Sequence, residues 1–264
     1  MPIPSRGKAT PAYQISTVME PTDRFEYKFL LSPQQFQAIY TTLEHSLTPD
    51  VQGSPTGSYP VVTLYYDTPS LSCYWDAKNR LPTRRKLRIR VYGSANGEIQ
   101  ETSFVEMKCK VDGRSIKHRL QTSLANALAI VSSTPTVANV TSFSPQILER
   151  IQHMVQVEQF HPTCMVRYQR EAYSIAHFSS TESASTAPLR VTFDQGIRYR
   201  FHNLIPKADD SDFTESLIPE DHRIMELKGE GMPPTWLQPY LNLQKISAIS
   251  MSKYGTAMSF RDPS

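Results

Sequence analysis

Arg84-Arg85-Lys86-Leu87-Arg88-Ile89-Arg90-Val91-Tyr92 leads through a Gly-containing turn into Phe104-Val105-Glu106-Met107-Lys108-Cys109-Lys110-Val111. Past Asp112-Gly113 the chain continues as Ser115-Ile116-Lys117-His118-Arg119-Leu120. Side chains alternate between the two faces of a strand. One face of these three predicted strands therefore carries Arg88, Arg90, Glu106, Lys108, Lys110, Lys117 and Arg119. The other carries Leu87, Ile89, Val91, Val105, Met107, Cys109, Val111, Ile116 and Leu120. Positions 84–120 hold ten Lys and Arg against four Asp and Glu, a local net of +6 in a chain whose net charge is only +3. A solvated sheet face usually mixes signs, because like charges opposite one another repel. Concentrating one sign on one face points instead to an anion-binding surface.

The rest of the chain repeats the strand pattern. Segments 24–31, 60–67, 164–174, 189–194 (extending toward Tyr199) and 222–228 alternate in the same way, giving eight strands in all. Helices are expected after Ser32-Pro33, at 124–131, after Ser144-Pro145 and after Pro233-Pro234, where Ser caps and a first-turn Pro favours the start. A short helical turn is expected within 70–83. Residues 1–22, rich in Pro, Thr and Ser, read as a flexible N-terminal arm, and 23–264 as one domain. The fold class is thus α+β and β-dominated: an eight-stranded antiparallel β-barrel with flanking helices, which closes its edges and has room for a ligand. With the polar faces inward, the lumen would hold Glu26, Lys28, Arg88, Arg90, Glu106, Lys108, Lys110, Lys117, Arg119, Arg170, Arg190, Glu226 and Lys228. That many cations cannot stay unpaired in a dry core. Polyvalent phosphate is their natural partner, since Arg offers paired N–H groups and Lys a point charge. Arg84, Arg85 and Lys86 read as an exposed basic edge, and Arg167, of opposite parity to Arg170, as lying outside.

Composition excludes several classes. Three cysteines, Cys73, Cys109 and Cys164, give neither a disulfide framework nor a zinc spacing, so a reducing, cytoplasmic setting is expected. No apolar leader and no membrane-length apolar run stands in the sequence. The seven histidines are scattered, and no Walker A, dinucleotide-binding or G-x-S-x-G motif occurs. The small net charge gives no nucleic-acid signal, and nothing assigns an oligomeric state.

Glu26-x-Lys28, Arg88-x-Arg90, Glu106-x-Lys108, Ser115-x-Lys117-x-Arg119, Tyr168-x-Arg170, Arg190-x-Thr192-x-Asp194, Glu226-x-Lys228 and Ser252-Lys253-Tyr254 follow one another along the chain. This ordered set resembles the VTC domain, the polyphosphate polymerase module of the triphosphate tunnel metalloenzymes, related to CYTH domains. The resemblance implies a cationic tunnel that binds triphosphate and a divalent metal, Mn2+ or Mg2+. It implies an enzyme that moves the γ-phosphate of ATP onto a polyphosphate chain. Carried over by position, Lys28, Arg88, Arg90, Lys108, Lys117, Arg170, Arg190 and Lys253 match phosphate-contacting residues. Glu226 matches the metal carboxylate, with Glu26 and Glu106 as further tunnel carboxylates. Lys110, Arg119 and Lys228 join the phosphate-binding set by parity. The SPX domain and membrane helices of the eukaryotic polymerases are absent from this sequence. The strict ExExK start of the triphosphatase branch is absent too, since position 24 is Arg. Two other readings of the same tunnel are a triphosphate or polyphosphate hydrolase and a non-catalytic polyphosphate binder.

Phosphoryl transfer depends on positioning and charge neutralisation more than on covalent catalysis. In this reading Arg88, Arg90, Lys108, Arg170 and Arg190 clamp the donor phosphates. Lys28, Lys117 and Lys253 guide the acceptor, and no protein nucleophile is needed.

Overall fold

The computed structural model describes residues 24–50, 57–93, 99–111, 114–132, 144–175, 188–207, 210, 212–230 and 235–261. Eight main strands form one antiparallel sheet: β1 (Arg24–Leu31), β3 (Ser58–Asp67), β4 (Arg84–Gly93), β5 (Ile99–Val111), β6 (Arg114–Ser123), β7 (His161–Ile175), β8 (Leu189–Arg200) and β10 (Arg223–Glu230). Two-residue strands β2 (Thr48–Pro49) and β9 (Glu215–Ser216) add to β7 and β8. The order across the sheet is β1-β10-β8-β7-β3-β4-β5-β6. Among the described residues six helices flank it: α1 (Pro33–Leu43), α2 (Ser72–Lys78), α3 (Leu124–Ile130), α4 (Pro145–Gln156), α5 (Gln238–Leu243) and α6 (Lys253–Arg261). The arm at 1–22, the Asp112-Gly113 turn, the 179–187 loop and Pro233-Pro234 lie outside the described residues.

The alternation places the apolar face of each strand on the convex side. Leu87, Ile89, Val91, Val105, Met107 and Leu120 are buried in a cluster with Ala127 and Ile130 of α3 and Ile151, Met154 and Val155 of α4. Phe29, Leu31, Val191, Phe193, Met225 and Leu227 pack under Ile39 and Leu43 of α1 and Leu241 of α5. Local sequence sets α1 firmly: the Ser32 hydroxyl accepts the Gln35 N–H and Gln35 Oε1 accepts the Ser32 N–H, with Pro33 in the first turn. Phe36 then meets Phe193 edge-on, with ring centroids 5.2 Å apart.

The charged face is concave. On a flat sheet β1 and β5, six places apart in the order, would be separated by about 29 Å at the usual strand spacing. Yet Glu26 and Lys28 of β1 and Lys228 of β10 act electrostatically on Lys108 of β5. Only a curled sheet brings those groups within range. Register shifts in the β3–β7, β4–β5 and β7–β8 ladders supply bends of the kind bulges produce.

The curl stops short of the closed barrel expected from the sequence. Among the described residues no ladder joins β1 to β6, so the sheet is a half-barrel. The free edge of β1 is covered by the main chain near Ala248: Phe29 bridges to Ala248, and the Ile249 N–H donates to the Lys28 carbonyl. From there residues 251–254 cross one end of the trough. Lys28 Nζ donates to the Met251 carbonyl, Lys86 Nζ to Ser252 Oγ, Lys253 Nζ to Asp194, and the Tyr254 hydroxyl to Asp67. Helix α6, for which the sequence reading provided no element, follows with Tyr254, Ala257 and Met258 buried. No described helix is long and apolar enough to cross a membrane.

Candidate functional site: a cation-lined trough

Cross-strand register stacks the charges of the β4–β6 wall in two rows. Arg88 faces Glu106, which faces Arg119; Lys86 faces Lys108, which faces Lys117. Glu106 is 1% exposed and works as the hub of its row. Its Oε2 accepts from Arg88 Nε at 2.7 Å, while Oε1 lies 2.5 Å from Lys117 Nζ and 3.3 Å from Arg119 Nε. Burial alone would raise this carboxyl. The charges of Arg88 and Arg90 and the contact with Lys117 outweigh burial and hold it at about 2. Both Glu106 oxygens lie against cations, so the carboxylate serves as a counter-ion of this wall.

A pH prediction follows from that depressed pKa. Ionised Glu106 stabilises the fold fully above the unfolded carboxylate value of about 4.3, and the contribution fades as pH falls from there to about 2. Wild type should unfold at higher urea than Glu106→Gln at pH 7, and the gap should close between pH 4.3 and 2. A gap independent of pH over that range would show that the charge of Glu106 does not matter.

The facing wall has a different arrangement. Glu26 and Lys28 of β1 lie across from Lys228 and Glu226 of β10. Lys28 Nζ is 3.0 Å from Glu26 and 3.8 Å from Glu226, and Lys228 Nζ is 3.2 Å from Glu226. Burial opposes ionisation of Glu26, but the charges of Lys228 and Lys28 outweigh it and hold the carboxyl far below the usual carboxylate range. Glu26 and Glu226 both sit against the same two lysines, Lys28 and Lys228.

Deeper in, Arg170 grips fully buried Asp194 with two bonds, Nε–Oδ1 at 2.7 Å and a second guanidinium nitrogen to Oδ2 at 2.9 Å. Lys253 Nζ reaches the same Oδ2 at 2.6 Å and lies 4.5 Å from the Tyr168 ring centroid. Burial would raise Asp194 and lower Lys253; each is pushed the other way, first by its charged partners. Tyr254, next in sequence, is pinned by Asp67, which also accepts the N–H groups of Cys73 and Tyr74 at the start of α2.

The site residues expected from the sequence thus fall into groups. Lys28, Arg88, Arg90, Glu106, Lys108, Lys117, Arg119, Arg170, Glu26, Glu226, Lys228 and Lys253 share the concave face. Arg90 bonds to Thr63 Oγ1 at 3.3 Å and has no ion pair among the described residues. Lys110 stands opposite Arg84 and Ser115, beyond the Lys108 row. Arg190 shares the face but is exposed and paired with Asp50 at 2.8 Å. Arg85 bonds Glu158 on the convex side, and Arg167 donates to the Asp210 carbonyl, both outside as expected.

Lys86 corrects the sequence reading. It belongs to the trough, because it shares the parity of Arg88 and Arg90. Asp194 was also missed as a site residue. Its place in Arg190-x-Thr192-x-Asp194 was visible, but its two buried cationic partners come from distant segments.

A curled sheet with a cation-lined, partly enclosed concave face defines a tunnel-type, phosphate-related protein. The sequence model of the VTC domain matches residues 23–261, and the chain belongs to that family. Among solved structures it is similar to a putative adenylate cyclase from Bacillus halodurans, at 13% identity and TM-score 0.46, with 87% of this chain and 95% of that one covered. It is similar also to a putative adenylyl cyclase from Hippeastrum, described as having a dominant triphosphatase activity, at 15% identity and TM-score 0.46, covering 89% and 94%. A third similar structure is a putative adenylate cyclase from Vibrio parahaemolyticus, at 11% identity and TM-score 0.43, covering 90% and 99%. No curated protein matches the sequence.

Proposed function

We propose that this protein is a polyphosphate-synthesising phosphotransferase that uses ATP and a divalent metal. The observation that carries the reading is that Glu26 and Glu226 share Lys28 and Lys228 inside a trough whose cations outnumber its carboxylates. Two such carboxylates are a suitable donor set for a hard cation that keeps waters and takes phosphate oxygens as its other ligands. Glu226 and Glu26 would hold it, and its charge would offset that developing on the transferred group.

The protein's own cations do the rest. Arg88, Arg90 and Lys108 clamp the donor phosphates. Lys28, Lys117 and Lys253 align the acceptor, with Arg170 behind them. The terminal oxygen of the acceptor chain attacks the γ-phosphorus, the bond to the β–γ bridging oxygen breaks, and ADP leaves with that oxygen. The chain grows by one unit. Fixed cations need not reorganise as charge shifts, which is where their catalytic value lies. Arg190, engaged with Asp50 at the rim, fits a role in steering the incoming polyanion. The three cysteines are unpaired and buried, which suits work in the cytoplasm.

The test is to incubate the protein with ATP, Mn2+ or Mg2+ and a short polyphosphate primer, then size the products on a gel. Growth of the primer with matching ADP release is expected. Phosphate release without growth would replace the proposal with a hydrolase. Tight, salt-sensitive binding without turnover would replace it with a binder.

A further inference from the structure

Lys86 and Lys108 face each other across β4 and β5, and the row continues to Lys117. Like charges directly opposite one another destabilise a sheet. Lys117 is relieved by Glu106 at 2.5 Å, but among the described residues neither Lys86 nor Lys108 has an ion pair. The polar partner of Lys86 is Ser252 Oγ at 3.0 Å, which also accepts the Gly255 N–H at 3.3 Å. Accepting both bonds leaves the Ser252 hydroxyl hydrogen free to donate. Two ammonium groups and one hydroxyl donor are thus presented to the trough, and among the described residues no carboxylate is in ion-pair contact with either ammonium.

Resting on the phosphate-transfer reading above, we propose that Lys86 is a further phosphate-binding residue of the trough, and that an oligophosphate binds together with a proton that Lys86 takes up from solvent.

The groups acting on Lys86 are Arg88 on its own strand, Lys28 on β1, Lys108 on β5 and Cys73 on α2. Burial first, then the three like charges, push its ammonium down to about 8. A phosphoryl group seated between Lys86 and Lys108 replaces repulsion with attraction and restores the ammonium. Binding therefore draws a proton onto Nζ at pH 8 and above, and affinity falls as pH rises past 8. An arginine at this position stays charged throughout and would need no proton.

The experiment is calorimetric titration with tripolyphosphate at pH 7, 8 and 9, in two buffers of different ionisation enthalpy. Wild type, Lys86→Met, Lys86→Arg and, as a control at an exposed residue at the end of α2, Lys78→Met are compared. Wild type should take up a fraction of a proton per tripolyphosphate at pH 8 and more at pH 9. Lys86→Met should lose that uptake and bind at least tenfold more weakly at pH 7. Lys86→Arg should bind tightly at all three pH values without uptake. Without ligand at pH 7, Lys86→Met should melt no lower than wild type, because it removes an uncompensated ammonium. If it fails to fold, the pH profile of Lys86→Arg against wild type decides alone. Equal affinity and equal proton uptake in wild type and the Lys86 variants would overturn the proposal and leave the phosphate reading standing. Failure of wild type to bind tripolyphosphate at all would instead overturn the phosphate reading, and this proposal with it.

Discussion

Asp194→Asn is expected to lower the unfolding free energy by about 3–5 kcal/mol, the usual cost of removing one partner from a buried charge pair. Asp194 is completely buried and accepts from both Arg170 and Lys253. With an amide in its place, two cations remain in the trough with one fewer carboxylate between them. Adding Lys253→Met should recover part of the loss, since the stranded ammonium is then gone. Tripolyphosphate should also raise the melting temperature of Asp194→Asn more than that of wild type, because its oxygens can replace the missing carboxylate. Urea denaturation and thermal melting with and without tripolyphosphate measure all three. A variant that unfolds at the wild-type urea concentration would mean that Arg170 and Lys253 find other partners.

Glu226→Gln should reduce metal-dependent primer extension by about 10²–10³-fold, the scale seen when one preorganised electrostatic group is removed from an active site. Metal-free binding of tripolyphosphate should stay the same or tighten. Glu226 faces Lys28, Lys228 and Arg170, and its negative charge repels an incoming anion when no metal is bound. The two effects point in opposite directions. A purely structural role for Glu226 would instead weaken binding and turnover together. Extension assays across a Mn2+ series, set beside metal-free calorimetry, separate the outcomes. Unchanged turnover at saturating Mn2+ would remove Glu226 from metal binding.

Strand periodicity was legible residue by residue. Leu87, Ile89 and Val91 against Arg88 and Arg90 could be read as two faces, and all eight main strands stand where that alternation put them. Ser32 and Pro33 likewise announced α1. Helix α6 was not read, although Tyr254, Ala257 and Met258 have helical spacing. Gly255 and the serines around it weaken the local signal, and the helix owes its place to packing against the sheet and to the Tyr254–Asp67 bond. Closure of the barrel was expected from edge avoidance, but the edge of β1 is satisfied by Ala248 and Ile249 instead.

Alternation along the chain is enough to fix the eight strands, which residues share a face, and a charged face too rich in cations to be left without anions. Those are consequences of period-two geometry and local charge, both encoded by neighbours along the chain. That this face is concave, and which carboxylate serves which cation, follow from the way the sheet curls. Glu106 meets Arg88, Lys117 and Arg119, Asp194 meets Arg170 and Lys253, and Glu26 and Glu226 share Lys28 and Lys228. Lys86 shares the parity of Arg88 and Arg90; what the folded chain added is its contact with Ser252, where the 251–254 crossing meets β4. Pairing depends on curl, and curl joins strands far apart in the order, so no window of sequence contains the information.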